Sequence, residues 1–387
     1  MQDPLSVDVE GDMRMSSRTN RLGELKLLAD DEYATERSED ETQEPETHQS
    51  EVTHIGFLKV HKAASSTLQN MFYRFGLKRN LSFVLPKQGH YLAKFKYKYQ
   101  PVLPTLRNDS GKFDILANHV RFNLAKFEDF LHDDAVYIAI VRDPFDLFES
   151  AAFYFKFVWN FDYLNSLDTD TFMHDLIVAP EKYEAKPIGY SYTFNSMASD
   201  FGYEMESIKD VMSTTDEQID DFVHHLGCVF QYVMITERFE ESLVMLKRTL
   251  NWQLKDVLFL DLNRYSEPGN KSKKGNTTVE DKRLFRIRNR LDYKIYEYFL
   301  DKFNKRIKQE AGIMEEVEHY KLTVAVMYEF CTAKHNPFDE LHVNASEWNT
   351  PFQVSVEDCG LMSTPELNMV VKMKARHNVL LRSEKQQ

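Results

Sequence analysis

The stretch that decides the fold spans residues 57–67 and reads Phe-Leu-Lys-Val-His-Lys-Ala-Ala-Ser-Ser-Thr. The apolar residues around its start predict a strand over His54–Val60. Beyond it, apolar side chains recur at the spacing of one helical face, namely at Leu68, Met71, Phe72 and Phe75. The helix is predicted to end at Gly76. The sequence therefore predicts a strand, a tight turn and a helix in immediate succession.

The turn between this strand and helix favours the binding of an anion. The first N–H groups of a helix have no partner inside the helix, and the helix dipole places partial positive charge at the same end. Two lysines and three hydroxyl groups add to this. The candidate anion-binding residues are Lys59, His61, Lys62, Ala63, Ala64, Ser65, Ser66 and Thr67. A solvated, capped helix start without a ligand explains the same residues, so both interpretations stay open.

The turn does not match the phosphate loop of the common nucleoside triphosphatases. That motif requires Gly-x-x-x-x-Gly-Lys-Ser/Thr, and here alanine and serine stand where the glycines would be. We therefore expect an anion other than a nucleoside triphosphate.

The composition is that of a large folded enzyme. With 387 residues, 42% of them hydrophobic, the chain can bury a sizeable core, which suits an α/β enzyme. The net charge of −13 argues against general binding to nucleic acid, so no nucleic-acid partner is expected. Residues 1–51 are predicted to be disordered, because their second half is acidic and almost free of apolar side chains.

The cysteines and the glycosylation sequons bear on the cellular compartment. No Cys-x-x-Cys pair occurs, so a zinc site is not expected. Cys331 and Cys359 form either a disulfide or two reduced buried thiols, and Cys228 is the third cysteine. Five Asn-x-Ser/Thr sequons favour a secretory lumen. They begin at Asn80, Asn108, Asn270, Asn276 and Asn344.

Strands and helices alternate along the chain. Further strands are predicted at Phe113–Asn118, Ala135–Val141 and Val229–Ile235. After the strand Ala135–Val141, Asp143 and Pro144 predict the capped start of a helix. After the strand Val229–Ile235, apolar residues from Phe239 to Leu250 predict another helix. Thr278 is predicted to open a long helix, and 159–221 to form loops and short helices. This alternation predicts an α/β fold with a central parallel sheet flanked by helices.

Two more groups of residues lie at predicted strand ends, where parallel sheets bind ligands. Arg142 ends one strand and Ser150 lies two turns into the next helix, so they fit a second phosphate site. A surface ion pair of Arg142 with Asp143 or Asp146 is the alternative. His119 follows another strand, where it suits a general base, although a histidine with a purely structural hydrogen bond is also consistent with this position.

Several segments, taken together and in order, closely resemble the galactose-3-O-sulfotransferases. They are residues 57–68, Asn-His-Val-Arg-Phe at 118–122, Val-Arg-Asp-Pro-Phe-Asp-Leu-Phe-Glu-Ser-Ala-Ala-Phe-Tyr-Phe at 141–155, and the stretches 237–247 and 252–258. The resemblance runs from His54 to Ile307. It implies a sulfotransferase version of the P-loop-like α/β fold, with 3′-phosphoadenosine 5′-phosphosulfate as co-substrate and no metal.

The resemblance also implies roles for individual residues. Residues 59–67 would bind the 5′-phosphosulfate, and Arg142 with Ser150 the 3′-phosphate. His119 would take the proton of the acceptor hydroxyl, and Lys62 would neutralise the leaving oxygen. His61 is the less favoured base because it is embedded in the loop, and Ala63 replaces the threonine usual in the family. The suggested sugar contacts are Tyr192, Asn195 and Asp200.

The family resemblance further implies a galactose-terminated glycolipid or glycan as acceptor and a location in the Golgi lumen or membrane. No run of 18 apolar residues is present, so the family's membrane anchor is missing from the sequence, through a truncated start or a copy without an anchor. A uronyl 2-O-sulfotransferase acting on glycosaminoglycans, and an inactive glycan-binding protein, are the alternatives. The catalytic domain is expected over 52–311, and 312–387 is a C-terminal extension without a recognisable pattern.

Overall fold

The computed structural model describes residues 50–93, 99–105, 111–158, 162–183, 191, 193–204, 212–260 and 277–384. Residues 49–387 belong to one compact unit. The segment 1–51 that was predicted to be disordered lies outside the described residues, except for its last two positions.

A parallel sheet of four strands forms the centre of the described chain, as predicted. Its order is β2-β1-β3-β4. The strands are β1 at Ile55–Phe57, β2 at Ile115–Leu116, β3 at Val136–Val141 and β4 at Tyr232–Ile235. All four are almost fully buried, as expected when helices cover both faces of a parallel sheet.

The strands are shorter than the sequence predicted. The stretch His54–Val60 contributes only Ile55–Phe57 to the sheet, and Phe113–Asn118 contributes only Ile115–Leu116. Val229, predicted to open the last strand, instead ends a helix. Apolar residues continue past the ends of a parallel strand because the loops there are also buried, so hydrophobic pattern alone overestimates strand length.

Helices follow each strand and connect it to the next. They are α1 at Ser65–Lys78, α2 at Leu124–Phe130, α3 at Pro144–Phe153, α4 at Asp162–Asn165, α5 at Phe172–Val178, α6 at Pro180–Tyr183, α7 at Ser196–Asp200, α8 at Asp216–Val229 and α9 at Phe239–Leu250. A π-helical turn at Tyr154–Val158 continues α3, and short 3₁₀ turns lie at Thr236–Arg238 and Leu254–Val257. The capped helix predicted after β3 is confirmed, because the Asp143 side chain accepts hydrogen bonds from the N–H groups of Phe145 and Asp146.

Two predicted helix boundaries were wrong. Helix α1 continues past Gly76 to Lys78, because Gly76 allows the close approach of the Phe83 ring to the helix and does not end it. The long helix expected after Thr278 is divided into α10 at Val279–Arg288 and α11 at Arg290–Gln309. At the break, the Asn289 side chain accepts a hydrogen bond of 2.7 Å from the backbone N–H of Asn195.

The C-terminal residues, for which the sequence had no pattern, are well structured. They form α12 at Ile313–Thr332, a two-stranded antiparallel sheet of β5 at Glu340–Val343 and β6 at Phe352–Ser355, α13 at Val356–Met362 and α14 at Glu366–Glu384. Helices α13 and α14 both pack against α1, the helix that follows the turn after β1. A disulfide joins Cys331 in α12 to Cys359 in α13, with 5.4 Å between the Cα atoms. Of the two alternatives for these cysteines, the structure therefore has the disulfide.

Within the described residues, no helix is both long and apolar enough to cross a membrane.

Candidate active site

The polar residues singled out in the sequence meet at the carboxyl ends of β1, β2 and β3. The strand register sets this arrangement. Strand β1 pairs with β2 on one side and with β3 on the other, and β3 pairs with β4 so that Ile138 lies opposite Tyr232. Lys59 and Lys62 follow β1, His119 follows β2 and Arg142 follows β3. The parallel sheet therefore brings together residues from three separate stretches of sequence.

The turn between β1 and α1 has a strained backbone. Lys62 and Ala64 both adopt the left-handed conformation, with φ of 59° and 58°. Non-glycine residues adopt this conformation at a cost of about 1–2 kcal/mol each. These two residues make the sharp turn that glycines make in other phosphate loops, which explains how the turn forms without glycine.

Side chains from neighbouring segments hold this turn in place. Ser65 Oγ donates a hydrogen bond of 2.5 Å to the carbonyl oxygen of Val60. Arg142 Nη1 donates one of 2.9 Å to the carbonyl oxygen of Lys62. Thr236 Oγ1, after β4, lies 3.4 Å from the carbonyl oxygen of Ala63 and 2.9 Å from that of Val141. Because these bonds engage carbonyl groups, they do not use the N–H groups of residues 64–66 at the start of α1.

Helix α1 begins without a side-chain cap. Its N-cap is Ala64, which has no capping oxygen, and no side-chain cap is present among the described residues. A helix start that lacks a capping oxygen has N–H donors ready for an anionic ligand. The observed geometry thus fits the anion-binding interpretation of the turn better than the capped alternative.

Lys62 lies beside Arg142 and over an aromatic ring. Its ammonium nitrogen is 3.6 Å from the centroid of the Tyr154 ring, a cation–π contact. Burial, together with the positive charges of Arg142 and Lys59, lowers the pKa of Lys62 to about 8. The positive charges of Lys62 and Arg142 repel each other. A bound anion would relieve this repulsion, because it attracts both groups.

Lys59 is fully buried and paired with a residue that sequence analysis missed. Its Nζ donates hydrogen bonds to Ser66 Oγ at 2.8 Å and to Glu366 Oε2 at 3.0 Å. Ser66 Oγ also donates to Glu366 Oε2, at 2.7 Å. Burial lowers the pKa of Lys59, while the attraction of Glu366 and Asp200 opposes this shift. Glu366 is the first residue of α14 and lies outside every motif seen in the sequence, so only its position after Pro365 at a helix start distinguishes it there.

His119 is buried between these groups and other rings. Its Nε2 lies 3.4 Å from Glu366 Oε1, and its ring stacks on His61 and Tyr91 with centroids 4.3 and 4.8 Å away. Burial, then the positive charges of Lys59, His61 and His90, holds the pKa of His119 well below its usual value. The imidazole is therefore neutral at pH 7 and able to accept a proton.

His61 is held by Asp200, which the sequence suggested as a sugar contact. Asp200 accepts a hydrogen bond of 2.8 Å from the backbone N–H of His61, and its other oxygen lies 2.9 Å from His61 Nδ1. Asp200 is itself 1% exposed. A buried carboxylate on Nδ1 fixes the orientation of an imidazole ring. Asp200 thus orients a histidine of the turn, and its contact with a sugar remains a prediction.

The other residues predicted at the site are distributed as follows. Ser150 lies in the second turn of α3 and is partly exposed. Asn195 is fully buried, and its side chain donates to the carbonyl oxygen of Arg288 and accepts from the N–H of Asp292. Its predicted contact with a sugar therefore stays a prediction as well. Tyr192 lies outside the described residues.

A separate group of possible metal ligands lies at the opposite ends of the strands. Within the described part of the chain, ligand atoms of His54, Asp114 and His132 come within 4.8 Å of one another. These residues precede β1, β2 and β3, whereas the candidate active site follows the strands. The two histidine rings stack at 4.1 Å, and Nε2 of His54 and of His132 lie 3.3 and 3.5 Å from Asp114 Oδ1, so the three groups pair with one another.

Fold and site together define a parallel α/β protein in which a strand–turn–helix with an uncapped helix start and two cations lies beside a buried histidine. The galactose-3-O-sulfotransferase family model matches residues 22–359, so the chain belongs to this family. The family resemblance drawn from the sequence is confirmed, and with it the class of enzyme, a sulfotransferase.

Individual relatives agree with this assignment. The chain is 29% identical to galactose-3-O-sulfotransferase 2 of Mus musculus over 79% of its own length and 75% of that protein. It is 30% identical to galactose-3-O-sulfotransferase 3 of Mus musculus over 70% of its length and 61% of that protein. Galactosylceramide sulfotransferase of Bos taurus is 32% identical over 54% of this chain and 48% of that protein. The chain thus spans less than two thirds of the length of the last two relatives.

Proposed function

We propose that this protein transfers a sulfuryl group from 3′-phosphoadenosine 5′-phosphosulfate to the 3-hydroxyl of a β-galactose on a glycolipid or a glycoprotein glycan. The observation that carries the proposal is the pairing of Lys62 with Arg142 beside the uncapped start of α1. Family membership and the names of the relatives support the galactose acceptor.

The donor requires two anion sites, and the candidate residues form two groups, one after β1 and one at the end of β3 and in α3. Residues 59–67, with the N–H groups of the turn, bind the 5′-phosphosulfate, and Arg142 with Ser150 binds the 3′-phosphate. The hydrogen bond from Arg142 Nη1 to the Lys62 carbonyl oxygen couples the two sites. A nucleoside triphosphate has no 3′-phosphate for the second site, so the arrangement favours the phosphoadenosine donor.

The transfer step needs a base and a cation. His119, neutral at pH 7 because of its lowered pKa, takes the proton of the acceptor hydroxyl as that oxygen forms its bond to sulfur. The bond between sulfur and the bridging phosphate oxygen breaks, and Lys62 neutralises the negative charge that grows on this oxygen. The N–H groups of residues 64–66 assist Lys62 at the start of α1.

The compartment we propose is the Golgi lumen. Its support is the disulfide between Cys331 and Cys359, since disulfides persist in oxidising compartments. Two of the five sequons, at Asn80 and Asn344, lie on exposed positions of the described chain. The other three, at Asn108, Asn270 and Asn276, lie outside the described residues.

A transfer assay with sulfur-labelled donor tests the proposal. The purified chain is offered galactosylceramide, a lactose-type disaccharide and a desulfated heparan chain, and the product linkage is determined by methylation analysis. We expect label at the 3-position of galactose. Label on the uronic acid of the heparan chain supports the uronyl 2-O-sulfotransferase alternative. Glycan binding without transfer to any acceptor supports the inactive glycan-binding alternative and contradicts the proposal.

A further inference from the structure

The carboxylate of Glu366 reaches the candidate active site from the far end of the chain. It belongs to α14, which packs on α1, and it lies beyond residues 22–359 that match the family. Its side chain is 21% exposed. Burial opposes its negative charge, but Lys59 and the hydrogen bond from Ser66 outweigh this effect and hold the pKa of Glu366 below its usual value. Glu366 is therefore a carboxylate at neutral pH.

The two oxygens of this carboxylate have different partners. Oε2 accepts hydrogen bonds from Lys59 Nζ and Ser66 Oγ, which fix the group in place. Oε1 lies 3.4 Å from Nε2 of His119. A carboxylate fixed by one oxygen and facing an imidazole nitrogen with the other favours the tautomer that carries its proton on that nitrogen.

The remaining nitrogen of His119 is the atom available for chemistry. Nδ1 of His119 is buried and has no hydrogen-bond partner among the described residues. A buried polar atom without a partner is uncommon and points to a ligand. With the proton on Nε2, Nδ1 carries the lone pair that accepts a further proton.

We propose that Glu366 is the positioning residue of the sulfuryl-transfer step, holding His119 so that Nδ1 takes the acceptor's hydroxyl proton while the carboxylate stabilises the imidazolium that forms. This inference rests on the proposed function, since it assigns a partner to the base proposed there. The proton moves from the acceptor oxygen to Nδ1, the proton on Nε2 stays in place, and no further reactant is needed. In serine hydrolases, a carboxylate orients the catalytic histidine and stabilises its imidazolium in the same way.

Glu366 contacts two residues of the turn proposed to bind the donor with one oxygen, and it faces the proposed base with the other. Its contacts are Lys59, Ser66 and His119, whereas Lys62 contacts Arg142 and Tyr154. Lys59 is buried and its charge is offset by Glu366, so this pair adds little net charge next to the donor. Glu366 is thus placed beside His119, while Lys62 and Arg142 are not among its hydrogen-bond partners.

Several charged or titratable groups face His119 and act on its protonation. Lys59 and His61 from the β1–α1 turn and His90 from the following loop all disfavour its positive charge. Glu366 from α14 favours that charge because of its opposite sign. Removing the Glu366 charge therefore lowers the proton affinity of His119.

The test is the Glu366→Gln variant of the full chain, with Glu357→Gln as matched control. Glu357 lies in the first turn of α13 and is exposed. We expect Glu366→Gln to lower kcat about 10- to 100-fold and to leave the KM of the donor within about twofold, with the acid limb of the kcat–pH profile moved to lower pH. We expect Glu357→Gln to keep the wild-type kcat, donor KM and acid limb of the kcat–pH profile. Glu366→Asp retains the charge and restores part of kcat.

A second measurement does not depend on turnover. In histidine-labelled protein, the ring nitrogens of His119 are titrated by NMR, with the signal identified in His119→Asn. We expect Nε2-protonated His119 in the wild type and a lower proton affinity of His119 in Glu366→Gln. Unchanged titration and unchanged kcat in Glu366→Gln overturn the inference. Higher kcat with tighter binding of adenosine 3′,5′-bisphosphate also overturns it, because Glu366 then competes with the donor.

The two proposals fail in different ways. If the wild type transfers sulfate to no acceptor, the proposed function fails, while the NMR titration still decides whether Glu366 sets the tautomer of His119. If the wild type is active and Glu366→Gln matches it at every pH, only the role of Glu366 is lost. Should Glu366→Gln not fold, the kcat–pH profile and the His119 titration are measured in Glu366→Ala, which also removes the carboxylate.

Discussion

Arg142 Nη1 donates a hydrogen bond of 2.9 Å to the backbone carbonyl oxygen of Lys62, although the two residues are 80 positions apart in the chain. This bond connects the end of β3 with the left-handed turn after β1. Because the guanidinium has further N–H donors, Arg142 can brace the turn and bind an anion at the same time.

Replacing Arg142 with alanine should weaken the binding of adenosine 3′,5′-bisphosphate about 10- to 100-fold, since a hydrogen bond to a charged group contributes about 1.5–3 kcal/mol. Adenosine 5′-phosphate, which lacks the 3′-phosphate, should lose much less affinity. Isothermal titration calorimetry with both nucleotides measures the difference. Arg283→Ala, in an exposed pair on α10, is the control. If both nucleotides lose the same affinity, Arg142 supports the turn and does not bind the 3′-phosphate.

The lowered pKa of Lys62 predicts a pH dependence of donor use. The ammonium group loses its proton as the pH rises through about 8. We therefore expect kcat/KM for the donor to fall above that pH, because kcat/KM reports the free enzyme. In Lys62→Arg the side chain stays charged, so this alkaline limb should disappear even if the rate is lower. If the alkaline limb of kcat/KM is unchanged in Lys62→Arg, a group other than Lys62 causes it.

His119→Ala should abolish most turnover and preserve nucleotide binding. Loss of a general base costs about 10²- to 10⁴-fold in kcat, and His119 contributes no positive charge to donor binding because its pKa is lowered. Steady-state kinetics and calorimetry with adenosine 3′,5′-bisphosphate measure the two effects. His225→Ala, at an exposed position on α8, should match the wild type. Wild-type kcat in His119→Ala would transfer the role of base to His61, which Asp200 orients.

The strained turn predicts opposite effects of the same substitution at two alanines. Ala64→Gly should raise the free energy of unfolding by about 0.5–1 kcal/mol, because the positive φ of Ala64 is strained and glycine adopts it freely. Ala125→Gly, on the exposed face of α2, should lower it by about 1 kcal/mol. Urea unfolding of both variants compares the two. Destabilisation by Ala64→Gly would show that the turn is not under strain.

The disulfide predicts sensitivity of the C-terminal helices to reduction. Cys331→Ser with Cys359→Ser should lower the free energy of unfolding by about 2–4 kcal/mol, the usual contribution of a disulfide. Chemical unfolding with and without reductant measures it. Cys228→Ser, which removes an exposed free thiol, should have no effect. If the double variant unfolds like the wild type, the disulfide does not stabilise this part of the chain.

Much of the candidate site could be predicted from local sequence. Lys62, His119 and Arg142 each follow an apolar run, and the carboxyl ends of parallel strands lie at one edge of a sheet. Strand length could not be predicted in the same way, because buried residues continue beyond the hydrogen-bonded part of each strand. The break at Asn289 also could not be predicted, since the hydrogen bond at this position comes from Asn195, a residue distant in the sequence.

By itself, the sequence determined the order of strands and helices, the strand–turn–helix at residues 55–78 and the family, because periodicity and motifs are properties of neighbouring residues. Only the tertiary structure decided the partners of the two histidines. Asp200 reaches His61 across 139 positions, and Glu366 pairs with Lys59 across 307 positions and thereby lies beside His119. Such contacts depend on how α7 and α14 pack at the mouth of the sheet, and no local pattern in the chain records that packing.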